Sequence, residues 1–207
     1  MSRAFAYSIL LLIVTGSCLL EYGGARWLGS LSRARQNQLA VFLFGAGALA
    51  VARWHPSIIL TNGVVLLAAL LAGAFLSHQI GTAGALATML MVAAIVDLLS
   101  AYAGPSRWLI DQARRGHTGY ALQYLAVSWK LKDRVVPVIG ISDLMFFTLA
   151  VSVVRRLGWH EMPALLVPLG ALLSALVVGL WAGFTPALPF LAAGVLLMSR
   201  QAGADVN

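Results

Sequence analysis

Two aspartates stand where an aspartate is costly. Asp97 lies in Met91-Val92-Ala93-Ala94-Ile95-Val96-Asp97-Leu98-Leu99 and Asp143 in Val138-Ile139-Gly140-Ile141-Ser142-Asp143-Leu144-Met145, each inside an otherwise apolar run. An ionisable group within a membrane helix costs at least about 2.5–3.5 kcal/mol by insertion scales, so such groups face a protein interior or a wet cavity. No Lys or Arg falls inside an apolar run to neutralise them, which makes each carboxyl the expected partner of the other. Two carboxyls in contact cannot both ionise. A pair holding one proton can act as base and acid together, one member drawing a proton from water while the other protonates a carbonyl oxygen. Two other uses stay open. Each aspartate can bond a backbone or hydroxyl group near a helix end, or the pair can lie on the proton path of a transporter.

A third element follows at the start of the last apolar run, Thr185-Pro186-Ala187-Leu188-Pro189-Phe190. Prolines there interrupt a regular helix start and expose backbone groups, which membrane depth tolerates only beside protein or a wet cavity. The alternative is that they simply begin the last helix, since proline suits a first turn. Read as a helix, the second aspartate segment puts Asp143 on one face with Gly140 and Phe147, the small Gly140 leaving room for a neighbouring helix.

These residues need a membrane scaffold to position them. Of 207 residues, 60% are hydrophobic and 10% charged, and mean hydropathy is +0.88. That composition excludes a water-soluble fold. The formal charge of +7 is scattered over short polar gaps, a membrane-topology pattern and not a nucleic-acid footprint. Cys18 is the single cysteine, so no disulfide forms within the chain, and His55, His78, His117 and His160 fall in separate loops, so no metal site is expected. No cofactor is implied. Glu21, Asp111, Asp133, Glu161 and Asp205 are read as loop or tail residues.

At roughly 20 residues per crossing, the apolar runs predict an all-α bundle of about seven spans in one domain, residues 1–207. They are Ala4 to Leu20, Leu39 to Ala52, Ser57 to Leu76, Ile80 to Ala103, Val135 to Val154, Pro163 to Trp181 and Phe184 to Met198. Residues 1–79 supply the N-terminal spans and 80–207 the core bearing the aspartates. The first run follows Arg3 and has no small-x-small cleavage site, so it reads as a retained span. The one long connection, 105–134, interleaves six basic residues with Trp108, Tyr120, Tyr124 and Trp129 and reads as an interfacial segment. Eight Lys and Arg fall on the side of Arg3 and that loop against six on the other, which favours a cytoplasmic N-terminus and long loop in a multi-pass protein of a prokaryotic cell membrane.

The order of motifs, Asp97 followed by Leu98, Gly140-Ile141-Ser142-Asp143, then Pro186-Ala187-Leu188-Pro189, resembles the presenilin and signal peptide peptidase family of intramembrane aspartyl proteases. The resemblance covers Met91 to Met198. It implies that Asp97 and Asp143 are catalytic, that Gly140, Ser142, Pro186, Ala187 and Leu188 complete the site, and that the substrate is a membrane-spanning peptide or protein. The chain departs from the family at Val96, where an aromatic residue is common, at Ser142, where a second glycine is usual, and in having about seven spans where nine are usual. A prepilin-type peptidase also uses membrane aspartates with Gly-x-Gly-Asp, but the Pro-Ala-Leu-Pro element argues against it. Outside the proteases, the readings are a proton-coupled transporter or an inactive scaffold.

Overall fold

A computed structural model describes residues 3–32, 35–36, 38–39, 57–104, 107–108, 111, 125–131, 134–182 and 185–204. Its elements run α1 (Arg3–Gly29), α2 (Ile58–Ser77), α3 (Ala83–Ala103), β1 (Ala126–Leu131), β2 (Arg134–Gly140), α4 (Ile141–Arg156), α5 (Glu161–Ala182) and α6 (Leu188–Ala204). Four stretches, Tyr7–Gly29, Ile58–Ser77, Ala83–Ala103 and Glu161–Trp181, are long and apolar enough to cross a membrane, and Leu188–Ser199 is a shorter apolar helix. The protein is thus a membrane-embedded helical bundle. The second apolar run read from sequence, past Leu39, lies outside the described residues.

Helix ends follow local chemistry. Ser57 and Thr82 cap α2 and α3, their side-chain oxygens accepting the N–H groups of Leu60 and Ala85 at 3.3 and 3.2 Å. Between these helices the chain turns at His78–Thr82 and α3 runs back. The final turns of α1, α2 and α4 line one common cavity, so these three helices end together.

The hub is α4. Leu144, Phe147, Thr148, Leu149, Ala150, Val151, Val153 and Val154 are all buried, an almost all-round apolar surface that only an interior helix can carry. One cluster packs it against α3, α5 and α6 through Leu90, Ala94, Ala164 and Leu191, the other against α1, α2 and the strands through Cys18, Val65, Val127 and Ile139. Gly73 lets α2 approach α4 closely. A Cβ there would lie 2.8 Å from the Thr148 Cβ and would overlap the Met145 carbonyl oxygen. The outer helices turn large apolar side chains outward, among them Ile59, Phe75, Ile95, Leu99 and Trp181.

The strands correct the all-α expectation. Residues read as the end of an interfacial loop and the start of a span, Val135 to Val154, form an antiparallel hairpin that leads directly into a shorter helix. Val135, Val136, Val138 and Ile139 are β-branched residues in a run of strand length, a pattern that favours extended backbone. The register passes from Val127↔Ile139 to Ser128↔Pro137, leaving Val138 as a bulge beside a proline with no N–H to pair. From α2, the Asn62 amide completes the hairpin. Its Nδ2 donates to the Ser128 carbonyl at 2.7 Å and its Oδ1 accepts the Ser128 N–H at 2.8 Å, occupying the outer edge of β1.

Candidate active site

Asp143 sits in the first turn of α4, three residues past the end of β2. Its Oδ2 accepts the N–H of Gly140 at 3.3 Å, the reaching-back half of a capping box, which satisfies a donor that the helix start leaves without a partner. This corrects the expected role of Gly140. It is not a small residue on a shared helical face but the last strand residue and N-cap, with φ −69° and ψ 150°. A Cβ on it would lie 3.0 Å from Asp143 Oδ2, so glycine leaves the carboxylate room to fold back.

Asp97 lies on α3, half-buried where that helix faces the bundle. Its Oδ2 accepts the backbone N–H of Leu188 at 3.3 Å. Leu188 is the first residue of α6, so this N–H is another that the helix cannot satisfy internally. Pro189 occupies the first turn, where a missing N–H costs nothing, and the Ala187 carbonyl accepts from Phe190 and Leu191 at 3.1 and 3.2 Å. The prolines therefore do begin the last helix, and they do so inside the protein, with Pro186 and Leu188 buried. The structure joins Asp97 to Leu188 and Asp143 to Gly140, with Ala187 packed on the cluster around Phe147. Ser142 points to the exposed side, and Val96 is 59% exposed on the outer face of α3.

No known family, characterised protein or solved structure matches this chain.

A third acidic residue belongs to the interior. Glu21, expected in a loop, lies within α1 and is 2% exposed, and the Thr148 hydroxyl donates to its Oε2 at 2.5 Å. The apolar run ends at Leu20, but the helix continues to Gly29. Val14, Cys18, Glu21, Ala25 and Leu28, spaced by four and three, are all buried, and that stripe was the available signal. Among the described residues, no group of three His, Cys, Asp or Glu side chains is placed to hold a metal ion.

Proposed function

We propose that this protein is an intramembrane aspartyl endopeptidase, with Asp97 and Asp143 as the catalytic dyad. The observation that carries the reading is the bond from the Leu188 N–H to Asp97, which joins the Pro-Ala-Leu element to the first aspartate while Gly140 holds the second. One carboxylate takes a proton from water as the hydroxide oxygen adds to the peptide carbonyl carbon, and the other carboxyl protonates the carbonyl oxygen. The resulting gem-diol collapses with cleavage of the C–N bond, and the departing amine takes up a proton.

The substrate must reach this pair in an extended form, because a helix hides its own carbonyls. The hairpin supports that step. With the β1 edge held by Asn62, the β2 edge is, among the described residues, the one left for an incoming strand, and β2 ends at the residue that bonds Asp143. In this proposal the chain crosses the bilayer seven times, with the N-terminus and long loop cytoplasmic. The meeting of the ends of α1, α2 and α4 at one cavity, away from the carboxyls, supports those three helices running one way and α3 the other.

The Glu21–Thr148 pair favours a second reading, a proton path through three interior carboxyls. Reconstitution with a helical membrane peptide separates the two. The protease reading expects cleavage that stops in Asp97→Asn and in Asp143→Asn and is blocked by an aspartyl-protease transition-state analogue. Proton flux without any cleavage, lost in the same variants, would select the transporter.

A further inference from the structure

The final turns of α1, α2 and α4 line an open cavity of about 430 Å³ whose polar lining includes Arg26, Ser30, Gln36, His78, Arg155 and Arg156. Arginines at helix C-termini have an ordinary explanation in the carbonyls and partial negative charge gathered there. It accounts for Arg156, which donates to the carbonyls of Ser77 and Ile80 at the end of α2. It does not account for Arg26 and Arg155. At the end of α1, the Trp27 and Leu28 carbonyls accept the N–H groups of Ser30 and Leu31, and the Gln36 amide donates to Leu28 and Leu31. At the end of α4, the Val153, Val154 and Arg155 carbonyls accept from Leu157, Trp159 and Gly158.

Arg26 and Arg155 converge instead on one carboxylate. Their guanidinium groups take the two oxygens of Glu161, at 3.2 and 3.3 Å. Among the described residues, three guanidinium charges around the cavity are thus met by a single carboxylate. Each described bond falls on one nitrogen, Nη1 of Arg26 and Nη2 of Arg155 and Arg156, of a group that carries five N–H donors.

We propose that this cavity binds a phosphate-bearing anion, held by Arg26, Arg155 and Arg156. Planar guanidinium forks match phosphate oxygens in a bidentate geometry that a lysine cannot supply. The cavity lies at helix ends, the level of the lipid headgroups, whose phosphates are anions that a guanidinium fork fits. Trp27, 52% exposed beside Arg26, fits the same interfacial level. Arg155 follows Asp143 on α4 by twelve residues, about 18 Å along a helix, so this site is separate from the carboxyl pair and independent of the protease reading.

Native mass spectrometry and thermal unfolding of the full chain in neutral detergent test the site, with phosphatidylglycerol, phosphatidylcholine and inorganic phosphate added separately. One phosphatidylglycerol retained per chain, with no effect of inorganic phosphate, identifies a headgroup site; stabilisation by inorganic phosphate as well identifies a soluble phosphate group as a ligand. The pair R26Q/R155Q should weaken binding about tenfold per arginine removed, while R107Q, at the far end of α3, should leave it unchanged. E161Q, which releases both guanidinium groups, should tighten binding, and it decides the matter if the double variant does not fold. Equal retention of phosphatidylcholine and phosphatidylglycerol without phosphate binding, unchanged affinity in R26Q/R155Q, or unchanged or weaker affinity in E161Q would overturn the assignment.

Discussion

The backbone N–H of Leu188 donates to the Asp97 carboxylate at 3.3 Å across 91 residues of sequence. A main-chain donor cannot be removed by ordinary substitution, so this relationship is best probed by comparing two replacements. Leu188→Ala keeps the N–H and loses a side chain that is 4% exposed in the core, at about 2–5 kcal/mol. Leu188→Pro also loses the donor, at a first-turn position where proline is otherwise tolerated. If the bond matters, Leu188→Pro lowers cleavage well below Leu188→Ala at matched stability; equal turnover would remove Leu188 from the site.

Asp97→Asn and Asp143→Asn should each reduce peptide cleavage by about a hundred- to ten-thousandfold while the helical circular dichroism persists. The readout is turnover of a reconstituted membrane peptide. A variant that kept near-normal turnover would release its residue from the dyad.

Gly140→Ala tests the room beside Asp143. The added Cβ would lie 3.0 Å from Oδ2, so the carboxylate must shift by a few tenths of an ångström. An activity loss of about tenfold is expected, because reacting groups tolerate little misplacement. Ser142→Ala, on the exposed side, should change stability very little; peptide turnover reads the first variant and thermal unfolding the second.

Asn62→Ala removes both bonds to the Ser128 backbone, a loss of about 1–3 kcal/mol at the hairpin. Hydrogen exchange at Val127, Ser128 and Trp129 should accelerate. Unchanged protection would mean that the β1 edge is held by something else.

Thr148→Val leaves the Glu21 carboxyl buried without its hydroxyl donor and should destabilise the protein by about 1–3 kcal/mol. Adding Glu21→Leu should recover part of that loss, since replacing both partners of a buried pair by apolar groups is nearly neutral. A double-mutant cycle with no coupling would break the inferred link between α1 and α4.

The membrane class was legible in the apolar composition itself, and the two aspartates and the two prolines stood out against it. Glu21 was hidden from that contrast. It follows the end of the apolar run, so hydropathy ended the span at Leu20 while helical periodicity carried it into the core. The hairpin was missed because an apolar run of valines suits a span as well as a strand, and the deciding partner, Ser128 with Asn62, is 66 residues apart in sequence. Past Leu39, the apolar run to Ala52 lies outside the described residues.

Asp97 lies six residues before the end of α3 at Ala103 and fourteen after its start at Ala83, or about 9 Å and 21 Å along the axis. On the protease proposal, a chain cut at that level would yield two unequal remnants. The near one keeps under two turns of apolar helix, too little to hold it in the bilayer, whereas the far one keeps most of a crossing. Off-centre scission would therefore sort its own products, releasing one end to water and leaving the other as a membrane-retained stub.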